Sequence, residues 1–307
     1  MPIAIAPRRR WLRWWVWPAA FVAVVAVLLL GPLGVLASGQ VSLDRSWWGA
    51  SRDSAGLAPD PAADREAIVQ VYGARTVSWR GAFGIHPWIA VKRSGEARFT
   101  TYQVLGWRAY RGGRAVESRE TMVPDGRWFG ALPALLAERR GPGVDALIDR
   151  IEAAVARYPW PDSYRVWPGP NSNTFVAYVA RQVPELRLDL PANAIGKDFL
   201  GLGSMLAPTP SGTGWQLSLG GLLGIALARD EGIELNLLGL SVGFDVDDAA
   251  LRLPGFGRVA IAGLLPGGAP AAAPAGVPPA GASPAGASLA GVPPAGVPPA
   301  EMKATQK

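Results

Sequence analysis

The chain has 307 residues, 49% of them hydrophobic, with one histidine and no cysteine. Without cysteine there is no disulfide framework, thiolate metal site or cysteine nucleophile, and a single histidine leaves no zinc-ligand spacing, so no metal or cofactor is expected. The net charge of +6 owes four arginines (Arg8, Arg9, Arg10 and Arg13) to the N-terminus, and the body lacks a basic run with interleaved aromatics, so nucleic acid is not an expected partner.

The basic residues up to Arg13 are followed by an uncharged run from Trp14 to Ala37. Its 24 residues exceed the roughly 20 that cross a bilayer core as a helix. Basic flanks stay in the cytoplasm, so the expectation is a single-pass inner-membrane protein with residues 1–13 cytoplasmic and the body extracytoplasmic. Trp11, Trp14, Trp15 and Trp17 at one end, and Trp47 and Trp48 beyond the other, suit interfacial anchoring. Val35-Leu36-Ala37 also has the small-residue form of a signal-peptide cleavage site, but the run is longer than a signal core and favours an uncleaved anchor.

Residues 38–64, rich in Ala, Pro, Ser and Asp, read as a linker. Ala67–Arg75 alternates as a strand. Ile85–Lys92 is a second, with His86, Trp88 and Ala90 on one side. Arg93–Glu96 is a turn, and Arg98–Trp107 the partner strand of a hairpin, followed by a weaker strand around Ala115–Arg119. Pro133–Arg140 reads as a short helix with Pro near its start. Gly143–Tyr158 is an amphipathic helix with a stripe of Val144, Leu147, Ile148, Ile151 and Val155. A further helix runs from about Asn173 to Val183 and stops at Pro184.

From Trp215 to Ile261 strands return, with a turn at Arg229–Gly232 and a register slip at Leu238 that suggests a bulge or a break at Gly239. Residues 205–264 are therefore expected to form a small β-rich extension packed on the domain of residues 65–204. Residues 265–307 repeat Ala-Gly-Val-Pro-Pro at 275, 290 and 295, carry no aromatics and read as an extended, disordered tail.

The stretch that could carry chemistry is Trp167-Pro168-Gly169-Pro170-Asn171-Ser172-Asn173-Thr174-Phe175. A helix start presents free N–H groups and favours negative charge. Ser172 there would need a base, and His86 is the only imidazole in the chain. Gln103 on the neighbouring strand is the candidate to hold the imidazole tautomer, with Tyr102 the alternative. Asn171 or Asn173 would donate to an oxyanion, and Trp88 and Tyr102 would help form the binding surface. The alternative is a plain N-cap and an ordinary Pro-Gly-Pro loop. Asp125-Gly126-Arg127 reads as a turn, and Lys197-Asp198 as either a charge pair at a cleft mouth or a solvated loop.

His-x-Trp-Ile-Ala-Val-Lys from His86, Trp-Pro-Gly-Pro-Asn-Ser-Asn-Thr-Phe from Trp167, Ala-Ile-Gly-Lys-Asp from Ala194 and Glu-Gly-Ile-Glu-Leu-Asn-Leu-Leu-Gly-Leu from Glu231 resemble an uncharacterised bacterial membrane-associated family, domain of unknown function 3750, over roughly Ser46–Arg258. More distantly, the order of His strand, partner strand and Asn-Ser-x-x-Phe helix start is similar to permuted papain-like hydrolases of the NlpC/P60 superfamily, with Ser172 where those enzymes carry Cys. The resemblance implies an α+β fold with an antiparallel sheet, a cleft with Ser172 at the nucleophile position, and a ligand-binding or structural role in the cell envelope. The alternative is a Ser172/His86 amide or ester hydrolase acting on envelope peptides or lipids.

Overall fold

The computed structural model describes residues 12–43 and 49–261. Arg8–Arg10, Trp47, Trp48 and the repeat tail lie outside the described residues. Helix α1 (Leu12–Ala37) contains no acidic residue and keeps Trp14, Trp15, Val16, Trp17 and Val22 more than half exposed. Only its last turns are covered, where Val35 packs with Val41 and Ala82.

The domain that follows is an antiparallel sheet of β1 (Ile68–Arg75), β2 (Ile85–Lys92), β3 (Phe99–Val104), β4 (Val116–Thr121) and β5 (Pro133–Arg140), in the order β4-β3-β2-β1-β5. A short helix, α2 (Gly106–Tyr110), leads from β3 toward β4. Alternation divides β2 between two cores. Ile85, Ile89 and Val91 join the residues of α3 (Val144–Ala156) and α4 (Ser172–Gln182), including Ile148, Ile151, Phe175 and Val176. Trp88 and Ala90 face the other way and pack with Tyr72, Phe99, Trp128 and Leu57.

Pro133–Arg140 is a strand, not the expected helix. β1 is buried along almost its whole length and needs a hydrogen-bonding partner on each side. β5 supplies the second, paired from Ile68↔Arg140 to Ala74↔Pro133 with one irregularity beside Leu136. Its Pro stands at the first position of an edge strand, where the missing N–H is tolerated. The helix propensity of Leu-Leu-Ala-Glu-Arg-Arg is a weak prior against seven paired residues. Residues 51–58 are not a free linker. The carboxylate of Asp125, 1% exposed, accepts hydrogen bonds from Ser54 Oγ at 2.9 Å and Leu57 N at 2.7 Å. The Asp125 turn thus fastens this segment across the first sheet.

Residues 206–260 form a seven-stranded meander: β6 (Leu206–Pro208), β7 (Gly214–Leu219), β8 (Leu223–Ala228), β9 (Gly232–Leu237), β10 (Leu240–Asp245), β11 (Ala250–Leu253) and β12 (Gly257–Ala260), neighbours in chain order. The slip at Leu238 is a break: Leu238 (φ 55°) and Gly239 (φ 86°) form the two-residue turn between β9 and β10.

The side of the meander turned toward the first domain is polar. Gln216, Ser218, Glu234, Asn236, Asp245 and Arg252 are all buried. Lys197 and Asp198 are buried as well, contrary to a solvated loop, and do not pair with each other. Lys197 Nζ lies 2.7 Å and 2.9 Å from the two carboxylate oxygens of Glu234 and donates to Leu190 O at 3.0 Å. Asp198 accepts from Asn236 Nδ2 at 3.0 Å. Arg252 bonds Asp189 and stands 3.5 Å from Glu234. Removing one partner of such a pair strands a buried charge. Glu234→Ala should lower the unfolding free energy by about 3–5 kcal/mol, measured by denaturant titration of the full chain in detergent.

Candidate functional site

The helix start is built by Asn171, not Ser172. Asn171 is the N-cap: its Oδ1 accepts from Thr174 N at 3.1 Å, and Thr174 Oγ1 accepts from Asn171 N at 3.1 Å, a reciprocal capping box. Asn171 Nδ2 donates to Val166 O and Ile195 O, and Asn173 Nδ2 to Ile85 O and Ile195 O. With both amide hydrogens of each side chain taken by backbone carbonyls, neither asparagine retains a donor for an oxyanion. Gly196 is required opposite them. It has φ 96°, and a Cβ there would fall 2.3 Å from Asn171 Nδ2. Ser172, 3% exposed, occupies the first helical position, and its hydroxyl makes no side-chain hydrogen bond among the described residues.

His86 lies on the other side of the sheet. It shares a face with Trp88, while Ile85 and Ile89 point to α4. The backbone of β2 therefore separates the imidazole from the helix that begins at Ser172, and no hydrogen bond joins the two side chains. Tyr102 also sits on the helix-covered side, where its hydroxyl donates to Glu152 at 3.0 Å. Trp88 is buried with Nε1–H on Pro124 O at 2.8 Å and offers no ligand surface.

What His86 does meet is Gln103 and a cluster of aromatic rings. His86 Nε2 is 3.0 Å from Gln103 Oε1, and Gln103 Nε2 donates to Glu117 Oε2 at 2.8 Å. Glu117 in turn is 3.2 Å from Arg108 Nη1. An ionised carboxylate only accepts, so the Gln103 amide must present N–H to Glu117 and its oxygen to His86. Nε2 of His86 then carries the proton and Nδ1 is the bare nitrogen. Trp128 stacks on the imidazole with ring centroids 3.7 Å apart and Trp107 lies beyond it at 5.9 Å, while Trp88, 6.1 Å from the imidazole and 6.3 Å from Trp128, stands beside the pair and stacks in turn on Tyr72.

Burial pushes the His86 pKa down from near 6.5 to about 4, with the Gln103 bond opposing weakly. The imidazole is neutral at physiological pH and is not poised as a general base near pH 7.

Trp128 also forms a wall of a cavity of about 530 Å³, which is bounded by residues 39–42 after α1, residues 75–78 at the end of β1 and the loop 127–132. Arg75 and Arg127 both line it. Arg75 donates to Gly81 O, Gly255 O and Gln40 Oε1, none of them charged. Arg127 has no acidic partner among the described residues. Outside the lining, the Arg52 guanidinium stands 4.3 Å over the ring of Phe129. Sequence reasoning missed this site. The available signal was Arg127-Trp128-Phe129-Gly130, two aromatics beside an arginine in a glycine turn. Among the described residues no group of three or more His, Asp or Glu could hold a metal ion.

Two outcomes follow. A histidine whose pKa is depressed on folding supports the fold fully above its unfolded value of about 6.5 and progressively loses that support as pH falls to about 4. The single histidine resonance should titrate near 4, and His86→Gln should remove about 3 kcal/mol of acid-dependent destabilisation between pH 7 and 4. In denaturant titrations at pH 7, Ser172→Ala should shift stability by less than about 0.5 kcal/mol, whereas Asn171→Ala should lower it by about 2 kcal/mol.

No curated protein and no solved structure matches the chain. Residues 66–199, from the start of β1 through α4 to the Ala194–Asp198 turn and so excluding the meander, match the family model described as Protein of unknown function (DUF3750).

Proposed function

We propose that the chain is a membrane-anchored binding protein, held by α1 with its body on the side opposite Arg8–Arg13. Its ligand would be an anionic amphiphile taken up in the cavity beside the end of α1. The observation that carries this reading is the cavity's lining: Arg75 and Arg127, without acidic partners among the described residues, set against Trp128, Phe129 and Leu132. Its volume of about 530 Å³ falls within the usual size of small-molecule sites. Residues 39–42 continue directly from the apolar helix, so a lipid-like molecule would meet the cavity where the anchor leaves the bilayer.

The chain order of His strand, partner strand and Ser helix supports a distant papain-like topology. The facing of β2 speaks for binding over hydrolysis, since the imidazole and Ser172 are on opposite sides of the sheet and the imidazole is neutral and enclosed. A fluorophosphonate serine probe should leave the full chain unlabelled at pH 7 to 8, and Ser172→Ala should change nothing in that assay.

Hexyl phosphate tests the binding reading in the full chain held in lipid nanodiscs. It should bind and alter tryptophan fluorescence, with hexanol and inorganic phosphate each much weaker. Arg127→Gln should weaken hexyl phosphate by about tenfold, the scale of one hydrogen bond to a charged group. Equal binding by Arg127→Gln and Arg75→Gln chains would overturn the assignment.

A further inference from the structure

The meander is inverted. In an antiparallel sheet with one covered face, the apolar side chains normally lie beneath and the polar ones face water. Here Gln216, Glu234 and Asn236 are buried, while their strand neighbours Trp215, Leu217, Ile225, Leu227, Ile233 and Leu235 are 37–60% exposed. Cross-strand pairing arranges these six in continuous rows. Trp215, Leu227, Ile233 and Phe244 stand opposite one another in turn, and so do Leu217, Ile225, Leu235 and Val242. From β6 to β10 the outer face carries no charged residue. At the usual strand spacing and rise it covers about 20 Å by 20 Å, the size of the largest apolar patch on a typical soluble monomer, which is often a functional surface.

The turns are sorted as well. Those at one end of the meander are Gly220-Gly221, Leu238-Gly239 and Pro254-Gly255-Phe256, all uncharged. Those at the other end hold Arg229, Asp230, Glu231, Asp247 and Asp248. The uncharged end is the one joined to α1. Gly31 packs so closely that a Cβ there would lie 2.1 Å from Pro254 O, and Phe256 lies against Gly34. Gly31 is six residues before the end of α1, about 9 Å along its axis. If the 24-residue span crosses a core about 30 Å thick, the Pro254–Phe256 turn reaches the level of the headgroups.

We propose that the outer face of the meander, at its uncharged end, lies in the surface of the bilayer that α1 crosses, so that the body is seated on the membrane rather than tethered above it. The partner is lipid rather than protein because the face is continuous with a lipid-exposed helix and its charge is confined to the far end. Apolar side chains at that depth gain by leaving water for the acyl boundary, as an interfacial helix does. The charges of the polar inner face are met from the first domain, Glu234 by Lys197 and Arg252 by Asp189. This inference rests on α1 as the anchor, and the test separates the two.

The chain has no cysteine, so single spin labels can be placed without background. Leu217→Cys, Ile225→Cys and Leu235→Cys would be labelled in the full chain in phosphatidylethanolamine–phosphatidylglycerol vesicles, with Val22→Cys in α1 and Glu120→Cys on exposed β4 as references. The three meander labels should match Val22→Cys, with an accessibility ratio of oxygen to a water-soluble nickel chelate several-fold above that of Glu120→Cys. Meander labels that match Glu120→Cys while Val22→Cys reports lipid would overturn the seating and leave the anchor standing. A Val22→Cys label that also reports water would remove both. Spin–spin broadening between copies at the meander labels, with both reagents excluded, would assign the face to a second copy and overturn the proposal.

Discussion

The arrangement of the whole body depends on a set of buried charges between its two sheets. Lys197, from the turn after α4, meets Glu234 on β9, and Arg252 on β11 reaches both Glu234 and Asp189. Charges taken out of water are tolerated only with close partners. Once these residues are committed to one another, the polar side of the meander has to face the first domain. Strand alternation then turns the apolar residues between them outward, Trp215, Leu217, Ile225, Leu227, Ile233, Leu235 and Phe244 among them. The exposed apolar face is thus a consequence of where the ion pairs are, and it makes the meander unlike a second hydrophobic core.

The same alternation governs the first sheet. β2 is a central strand with α3 and α4 on one side and the aromatic cluster on the other. Ile85 and Ile89 fill the contact with α4, and this sends His86 to the far side. There the Gln103–Glu117 chain orients the imidazole and Trp128 covers it. A one-residue shift of β2 would bring the imidazole toward α4, but it would also carry Trp88 into the helix contact and turn Ile89 away from it. The hydrophobic pattern therefore holds the histidine away from Ser172. The His–Gln pair still has a function in the fold, as a satisfied polar link between β2, β3 and β4 beneath an aromatic stack.

The candidate site lies where three segments far apart in sequence converge: the exit of α1, the end of β1 and the loop after β4. None of these carries a recognisable motif. Arg75 reads as the last residue of a strand and Arg127 as part of a turn. Their shared chemistry exists only because residues 39–42 and 127–132 are brought to the same end of the sheet. Asp125, which reads as a turn residue, secures the segment 51–58 there through buried hydrogen bonds.

Local patterns were legible directly from the amino-acid order. The uncharged run of α1, the alternation of β1 and β2, the α3 stripe, the helix start after Pro170 and the turns of the meander depend on neighbours a few residues apart. The placement of Gln103 on the same face as His86 also follows from strand period once the hairpin is granted. Three matters depended on contacts between distant segments and so on the tertiary structure alone. Pro133–Arg140 became a strand because the open edge of β1 required a partner. His86 and Ser172 were parted because the period says which residues share a face, not which face meets a helix. The meander turned its charges inward because Lys197 and Asp189, outside it in sequence, supply the counter-charges that make their burial possible.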